Sequence, residues 1–397
     1  MVNRDKSILI IGAGNIGRGV IGGLFYKAGY KLVFYDISIS RMKQLNEQGH
    51  YLIKRVWPDK KERIVVDKLK VVDSSNEKGL IDAISKVNLV ACCVYQGAFE
   101  SICRNIAKAI KIRMNVNSDY LNILLCVNSL GAPDYFNEQI EANLSGNKEA
   151  LSYFYQRVGI CQALVGMAAM PSTPELLAED SFAVTTRMGG SVGIDKETFR
   201  GNNLEVEGIE MVSRAKEKIY RKVYTGNMKH CMTAFMGKAK NYKYIEECDN
   251  DKFIQKCVAG AFNEAEEAVQ REFNFDENER QSWRQSILGI KNSNIKDEIA
   301  RVSANPITKL NRENRFVGPA LLWIKHNILP FYLSKGIAYG FLYRDEKDKE
   351  SIEITDYVEK NGIEKAIRKY CGLRDEEWML IDLIKKQYEE IKFSILQ

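Results

Sequence analysis

One segment in the second half of the sequence carries three side chains of the types that acid–base chemistry uses. Lys222, Asn227 and His230 supply an ammonium group, an amide and an imidazole at positions i, i+5 and i+8. On an α-helix these positions fall at about 0°, 140° and 80° around the axis, so the three side chains share one face. A lysine moves a proton, and an amide N–H stabilises a developing alkoxide, without a metal ion. Spacing alone is equally compatible with a solvated helix whose histidine only makes hydrogen bonds.

The start of the sequence carries a pattern that binds dinucleotides. An apolar run ends at Ile11, and a G-x-G-x-x-G segment follows it directly and opens a helix. In such a segment the glycines permit a tight turn and let backbone N–H groups approach a pyrophosphate. Asp36 ends the next predicted strand, where a carboxylate accepts hydrogen bonds from both ribose hydroxyls and repels a 2′-phosphate. The sequence therefore predicts NAD as the cofactor, bound by Asp36 and by Gly12, Ala13, Gly14, Asn15, Ile16 and Gly17.

A nearby cation leaves a second interpretation of the cofactor open. Arg41 lies in the predicted helix after Asp36 and is the one residue there that would support a 2′-phosphate. A solvated position in that helix is the simpler interpretation of Arg41.

The pattern of apolar residues indicates the elements that position these groups. The first 130 residues alternate short apolar runs with amphipathic stretches, as in a parallel sheet flanked by helices. Strands are predicted at 7–11, 31–35, 64–66, 69–72, 89–94 and 122–127. Tyr95 follows the strand at 89–94, where a loop of this fold meets the cofactor, and is predicted to contact it.

After about Glu207, amphipathic segments of helical length dominate. We therefore predict an α/β Rossmann-type doubly wound domain over residues 1–205, followed by a mostly α-helical substrate and catalytic domain over residues 206–397. One of the predicted helices carries Glu264, Glu266 and Glu267, which are expected to face solvent.

Composition limits the classes of function. The 397 residues are 45% hydrophobic and 28% charged, the balance of a folded globular protein. Only three histidines are present, far apart in sequence, which argues against a multi-histidine metal site. The nine cysteines include no Cys-x-x-Cys pair and indicate reduced thiols in a cytoplasmic protein. The net charge is +6 and the sequence has no basic block, so no nucleic-acid partner is predicted. The sequence also lacks an uninterrupted apolar stretch of roughly 20 residues, so no membrane span is predicted. A small anionic substrate remains compatible.

Two motifs together resemble a known enzyme family. The glycine segment, extended through Arg18 to Gly22, and the Lys-x4-Asn-x2-His segment are similar to those of the polyol-specific long-chain dehydrogenases. The similarity covers nearly the whole length. It implies an NAD-dependent, metal-independent enzyme that interconverts a polyol phosphate and a ketose phosphate, above all mannitol 1-phosphate and fructose 6-phosphate.

The resemblance also implies residue roles. Lys222 would be the general acid and base, Asn227 and Asn128 would donate to the carbonyl or alkoxide oxygen, and His230 would bind substrate hydroxyls or orient the lysine. To act near neutral pH, Lys222 would need a lowered pKa. The family matches at Lys309, Arg315 and Lys238 imply substrate binding, with cations that grip a phosphate.

Three positions depart from the family. Val127 stands where the family usually has Glu, and Gly166 and Met167 stand where it usually has Asp and Arg. Because that Asp is expected to bind substrate hydroxyls, the substrate stays open. One alternative is a related polyol or hexuronate oxidoreductase that acts on fructuronate or tagaturonate. Another is a catalytically silent NAD-binding sensor.

Overall fold

A computed structural model describes residues 6–73, 75, 77–116, 119–170, 172–288 and 296–396. The chain divides into two compact units, Met1–Lys218 and Ile219–Gln397. The last strand of the first unit, Ile209–Val212, lies beyond residue 205, so the sheet continues past the predicted domain boundary.

Strands of the first unit form two sheets. They are β1 (Ser7–Ile11), β2 (Lys31–Tyr35), β3 (Tyr51–Val56), β4 (Lys61–Val66), β5 (Leu69–Val71), β6 (Leu89–Cys92), β7 (Leu121–Leu125), β8 (Val158–Val165), β9 (Ala168–Met170), β10 (Val184–Arg187), β11 (Val192–Asp195) and β12 (Ile209–Val212). The larger sheet has the order β12-β11-β8-β7-β6-β1-β2-β5 and is parallel except between β11 and β8. The smaller sheet has the order β4-β3-β10-β9.

Helices alternate with these strands along the chain. They are α1 (Gly23–Lys27), preceded by the π-helical segment Ile16–Gly22, α2 (Ile39–Gln48), α3 (Glu77–Lys86), α4 (Phe99–Val116), α5 (Ala132–Leu144), α6 (Lys148–Arg157), α7 (Pro174–Glu179) and α8 (Ala215–Arg221). Strands β1, β6 and β7 are buried along almost their whole length, which explains their continuous apolar runs. The predicted α/β Rossmann-type fold is confirmed.

The second unit is built from helices, as predicted. After the π-helical turn Lys222–Asn227 come α9 (Met228–Ala239), α10 (Lys252–Phe273), α11 (Glu277–Leu288), α12 (Ile299–Ser303), α13 (Pro306–Leu310), α14 (Val317–Lys325), α15 (Phe331–Leu342), α16 (Lys349–Asn361), α17 (Ile363–Cys371) and α18 (Trp378–Leu396). Its core includes Phe235 of α9, Phe262 of α10 and Ile337 of α15. The apolar face of α9 is therefore fixed in the core of this unit.

The prediction that the glutamates of α10 face solvent is wrong for two of them. Glu266 is only 3% exposed, and it accepts hydrogen bonds from Arg280 at 2.7 Å and Arg284 at 2.8 Å. Glu264 accepts the first backbone N–H groups of α15 at 2.8 to 3.0 Å. Amphipathic periodicity does not reveal these partners because they lie on distant parts of the chain.

Candidate active site

The glycine loop after β1 is shaped by close approaches of the backbone. Gly12 has φ of +96°, and a side chain there would collide with the carbonyl oxygen of Cys93. A side chain at Gly17 would collide with the carbonyl oxygen of Gly12. A Cβ at Gly14, by contrast, would meet no atom within 4 Å. The loop is thus tightly packed on the protein side and open on the other, as the predicted binding of a pyrophosphate requires.

Asp36 is tied to this loop. Its Oδ2 accepts the N–H of Ala13 at 2.9 Å, and its Oδ1 accepts the N–H of Ser38 at 3.0 Å. An ionised carboxylate offers about four acceptor positions, so these two bonds leave capacity for ligand hydroxyls. Asp36 therefore joins the end of β2 to the loop that follows β1.

Two arginines next to the loop have partners within the protein. Arg18 is 4% exposed and donates to the carbonyl oxygens of Ala13 and, at 3.3 Å, Phe182. Burial, followed by the charge of Arg41, lowers the pKa of Arg18 to about 10. Arg41 lies 4.8 Å from the centre of the Phe182 ring and donates to Ser181 at 3.3 Å. No spacing rule for the glycine motif points to Arg18 as a support of the loop.

Tyr95 and Asn128 follow adjacent strands. β6 pairs with β1 on one side and with β7 on the other, and all three strands are parallel. Their carboxyl ends therefore meet at one edge of the sheet. Tyr95, which comes after β6, is 90% exposed, and Asn128 is exposed after β7. The structure thus places both at the same edge as Gly12.

In the second unit, Lys222 and Asn227 are the first and last residues of a π-helical turn. These residues lie on a helix, but the α-helical angles expected for them do not apply, because the turn is π-helical. Because π-helical hydrogen bonds join residues five apart, residues i and i+5 lie one turn apart on the same side. Both side chains are half-buried. The π-helical turn therefore brings positions 222 and 227 closer to one side of the helix than α-helical spacing would.

Buried side chains support this turn. Thr225 donates to the carbonyl oxygen of Arg221 at 2.6 Å and accepts from the indole N–H of Trp283 at 2.9 Å. The Arg221 guanidinium lies 4.2 Å from the centre of the Phe275 ring and contacts Glu279 at 2.8 Å. A Thr hydroxyl bonded to the backbone four residues earlier often bends a helix, so Thr225 has a local role in the distortion. No motif in the sequence pointed to Trp283.

His230 lies in the first turn of α9 and is exposed. Its Nε2 is 3.1 Å from Oδ2 of Asp297, a residue the sequence analysis did not consider. The structure therefore brings Lys222, Asn227 and His230 together on one continuous helical segment and adds a carboxylate to it.

Two of the three predicted substrate cations lie next to the thiol of Cys231, the residue after His230. Burial lowers the pKa of Lys309 to about 8, with a further contribution from the charge of Arg315. Burial also lowers the pKa of Arg315, an effect that the Cys231 thiol opposes, and Nε of Arg315 donates to Oδ1 of Asn314 at 3.1 Å. Lys238 instead forms an ion pair with Asp345 at 3.1 Å.

Two of the three positions that depart from the family pattern lie in apolar cores, and the third lies against a neighbouring backbone. Val127 and Met167 are buried in the cores on the two faces of the larger sheet. Gly166 donates its N–H to Ser191 at 2.9 Å, and a Cβ there would lie 2.7 Å from the carbonyl oxygen of Ser191. This backbone therefore does not accommodate an aspartate at position 166.

Family models account for both parts of the chain. The mannitol dehydrogenase Rossmann domain matches residues 6–208, and the mannitol dehydrogenase C-terminal domain matches residues 217–392. The chain belongs to the mannitol dehydrogenase family. Membership of this family makes it an oxidoreductase with a dinucleotide-binding domain, and confirms the resemblance seen in the sequence.

Relatives of known name cover nearly the whole chain. A mannitol-1-phosphate 5-dehydrogenase of Thermoanaerobacter pseudethanolicus is 32% identical over 96% of this chain and 97% of the relative. One of Bacillus licheniformis is 29% identical over 93% of this chain and 96% of the relative. The family resemblance is thus not confined to the glycine motif.

Solved structures show the same fold. A Pseudomonas fluorescens mannitol 2-dehydrogenase, in a ternary complex with NAD and D-mannitol, superimposes with a TM-score of 0.78 at 13% identity and covers 99% of this chain and 94% of that one. A substrate-free D-sorbitol dehydrogenase superimposes with a TM-score of 0.72 at 14% identity and covers 98% of this chain and 93% of that one.

Within the described residues, no helix has the length and apolarity to cross a bilayer.

Proposed function

We propose that the protein is an NAD-dependent mannitol-1-phosphate 5-dehydrogenase that interconverts mannitol 1-phosphate and fructose 6-phosphate. The observation that carries the proposal is the π-helical turn with Lys222 and Asn227 at its two ends and His230 just beyond it. The relatives of that name, similar over nearly the full length, support the choice of substrate.

The proposed acid–base chemistry belongs to Lys222. The nicotinamide, when bound, supplies the hydride in ketose reduction and accepts it in polyol oxidation. Lys222 gives a proton to the new alkoxide oxygen in reduction and takes the hydroxyl proton in oxidation. The amide N–H of Asn227 stabilises the developing negative charge on that oxygen, and the proposal gives Asn128 the same role. His230 binds a substrate hydroxyl.

The choice of NAD rests on Asp36 and Arg41. The Asp36 carboxylate is held at the glycine loop by the Ala13 N–H, in a position to accept hydrogen bonds from ribose hydroxyls and to repel a 2′-phosphate. Arg41 stacks on Phe182 and donates to Ser181, so its guanidinium is already used within the protein. The proposal includes no metal, and among the described residues no three His, Cys, Asp or Glu side chains group to hold one.

The phosphate of the substrate is assigned to Lys309 and Arg315. Both cations are partly desolvated, so keeping them charged costs free energy. A nearby anion would offset this cost. A phosphate dianion would supply that charge and accept hydrogen bonds from both side chains. Lys238 is less suited to this role, because its ammonium group is already paired with Asp345.

A substrate panel tests the proposal. The purified protein is mixed with NADH and, separately, fructose 6-phosphate, fructose, fructuronate and tagaturonate, while the absorbance of the reduced nicotinamide is followed. We expect rapid oxidation with fructose 6-phosphate and little with the other three. A parallel series with NADPH should be slower at equal concentration.

The other outcomes select other functions. Turnover with a hexuronate alone would favour a hexuronate oxidoreductase, the candidate motivated by the apolar positions Val127, Gly166 and Met167. NADH binding without turnover of any ketose would favour a sensor. Either result would contradict the proposed substrate.

A further inference from the structure

The imidazole of His230 has a carboxylate partner. Nε2 of His230 lies 3.1 Å from Oδ2 of Asp297. The His230 side chain is 45% exposed and that of Asp297 is 20% exposed, so the carboxylate is the more buried of the two groups. The other ring nitrogen, Nδ1, is not part of this contact.

Hydrogen bonds of its backbone hold Asp297 in place. Its N–H donates to the carboxylate of Glu246 at 3.2 and 3.3 Å, and its carbonyl oxygen accepts the N–H of Ile245 at 2.9 Å. Two residues later, the N–H of Ile299 donates to Lys243 at 3.0 Å. The strand-like pairing of these two segments fixes where the Asp297 side chain begins.

The carboxylate itself is fixed by Arg301, one helical turn later. Arg301 donates from Nη2 to both oxygens, at 2.6 and 2.7 Å, and from Nε to Oδ1 at 2.9 Å. Such fork-shaped pairing defines the orientation of a carboxylate as well as its position. Asp297 therefore presents Oδ2 to His230 from a rigid support.

The protonation state of Asp297 follows from these contacts. Burial alone would raise its pKa, but the hydrogen bonds from His230 and Arg301 hold the pKa below the ordinary value for Asp. An ionised carboxylate only accepts hydrogen bonds, so the hydrogen of a neutral His230 must lie on Nε2. Nδ1 then carries a lone pair.

We propose that Asp297 is a positioning residue that fixes His230 in the Nε2–H tautomer and leaves Nδ1 as an acceptor for a substrate hydroxyl. The expected effect of Asp297 on catalysis rests on the proposed function, in which His230 binds substrate. The expected tautomer of His230 does not depend on that function. Partners of this kind, behind a functional histidine, set which nitrogen faces the ligand.

Histidine NMR tests the tautomer directly. The full chain, labelled with ¹⁵N in histidine, contains only three imidazoles, and His230→Gln identifies the His230 signals by their loss. Spectra are recorded over a series of rising pH values, and the tautomer is determined from the ¹⁵N shifts once they no longer change with pH. We expect Nε2–H in the native protein. In Asp297→Asn, whose amide can donate to Nε2, we expect a shift toward Nδ1–H.

Kinetics test the consequence. Asp297→Asn should lower kcat/KM for fructose 6-phosphate about 10- to 100-fold, the effect found when the carboxylate partners of metal-bound histidines are removed, and leave the Kd for NADH unchanged. Asp297→Glu, which keeps the carboxylate, should recover part of the loss. Asp382→Asn is the matched control, because Asp382 also pairs with a cation four residues away, Lys386 at 2.8 Å, and its loss should change neither readout.

Three results would overturn the inference. The first is an Nδ1–H tautomer in the native protein, and the second is an unchanged tautomer in Asp297→Asn. The third is a changed tautomer with unchanged kcat/KM, which would remove the positioning role. If the native protein reduces no ketose at all, the proposed function fails while the NMR result still decides the tautomer.

Discussion

The carboxylate of Asp36 accepts the backbone N–H of Ala13 at 2.9 Å. The residue that ends β2 and the loop that follows β1 are thus one hydrogen-bonded unit. Any change at Asp36 acts both on the loop and on the ligand that the loop is proposed to bind.

Asp36→Ala should weaken NADH binding. The variant loses a charged acceptor, and one hydrogen bond to such a group is worth about 1.5–3 kcal/mol, so we expect the Kd to rise by at least about 10- to 100-fold. The preference for NADH over NADPH should fall as well, because the repulsion of a 2′-phosphate is removed. Fluorescence titration with both nucleotides measures this.

Asp67→Ala is the control for that experiment. Asp67 is an exposed carboxylate of the same unit that accepts from the Tyr26 hydroxyl at 2.7 Å. We expect an unchanged Kd for both nucleotides. An Asp36→Ala protein with native NADH affinity would contradict the assignment of the ribose site.

Thr225→Val should destabilise the second unit. The half-buried indole N–H of Trp283 loses its acceptor, which costs about 0.5–1.5 kcal/mol in the free energy of unfolding. Urea unfolding measures the loss. Thr233→Val is the matched control, since Thr233 makes the same hydroxyl bond to the backbone four residues earlier, at 2.9 Å. A loss at Thr225 no larger than at Thr233 would contradict the role of Trp283.

Sequence patterns predicted the parts of the site that depend on local geometry. The Gly12 turn and Asp36 follow from rules that relate a short segment to its own backbone, and the structure places them accordingly. The spacing of Lys222 and Asn227 was recognised, but the π-helical turn was not, because it depends on Thr225 and a tryptophan 58 residues away.

Other parts depend on contacts that no local pattern encodes. Asp297 meets His230 only because its segment pairs with residues near 245. Glu266 resembles a solvent-facing residue in sequence, yet two arginines of α11 cover it. In each case the deciding partner is distant in sequence, and periodicity reports only on near neighbours.

The affinity for the phosphate substrate should fall at alkaline pH. Burial lowers the pKa of Lys309 to about 8, so its charge is present below that pH and is lost as pH rises through it. Among the neighbouring groups, Arg315 also lowers the pKa of Lys309, whereas Cys231, Asp348 and Glu350 raise it. If only the ammonium form binds the dianion, KM should rise up to about tenfold for each pH unit above about 8.

Lys309→Arg supplies the comparison. A guanidinium stays charged throughout this range, so the alkaline rise in KM should disappear or move upward. The Kd for NADH, measured over the same pH values, should stay constant in both proteins. An identical alkaline rise in Lys309→Arg would assign the titration to another group.

The thiols should be unreactive in the native protein. Of the nine free cysteines, all but Cys93 are buried, and burial raises the pKa of Cys103 and Cys161 to about 12. Because the thiolate is the nucleophile, a disulfide reagent at pH 7.5 should modify the native protein slowly and all nine thiols quickly in denaturant. Fast modification of several native thiols would contradict the packing described for these strands and helices.

The most direct test of the proposed chemistry compares the native protein with Lys222→Ala. NADH carrying deuterium at the transferred position is mixed with fructose 6-phosphate, and the product is analysed by mass spectrometry. We expect the native protein to form mannitol 1-phosphate with one deuterium on the newly reduced carbon. Lys222→Ala should bind NADH normally and transfer the label about 10²- to 10⁴-fold more slowly, the usual contribution of a general acid. Transfer at the native rate in Lys222→Ala, or no labelled product with the native protein, would contradict the assignment.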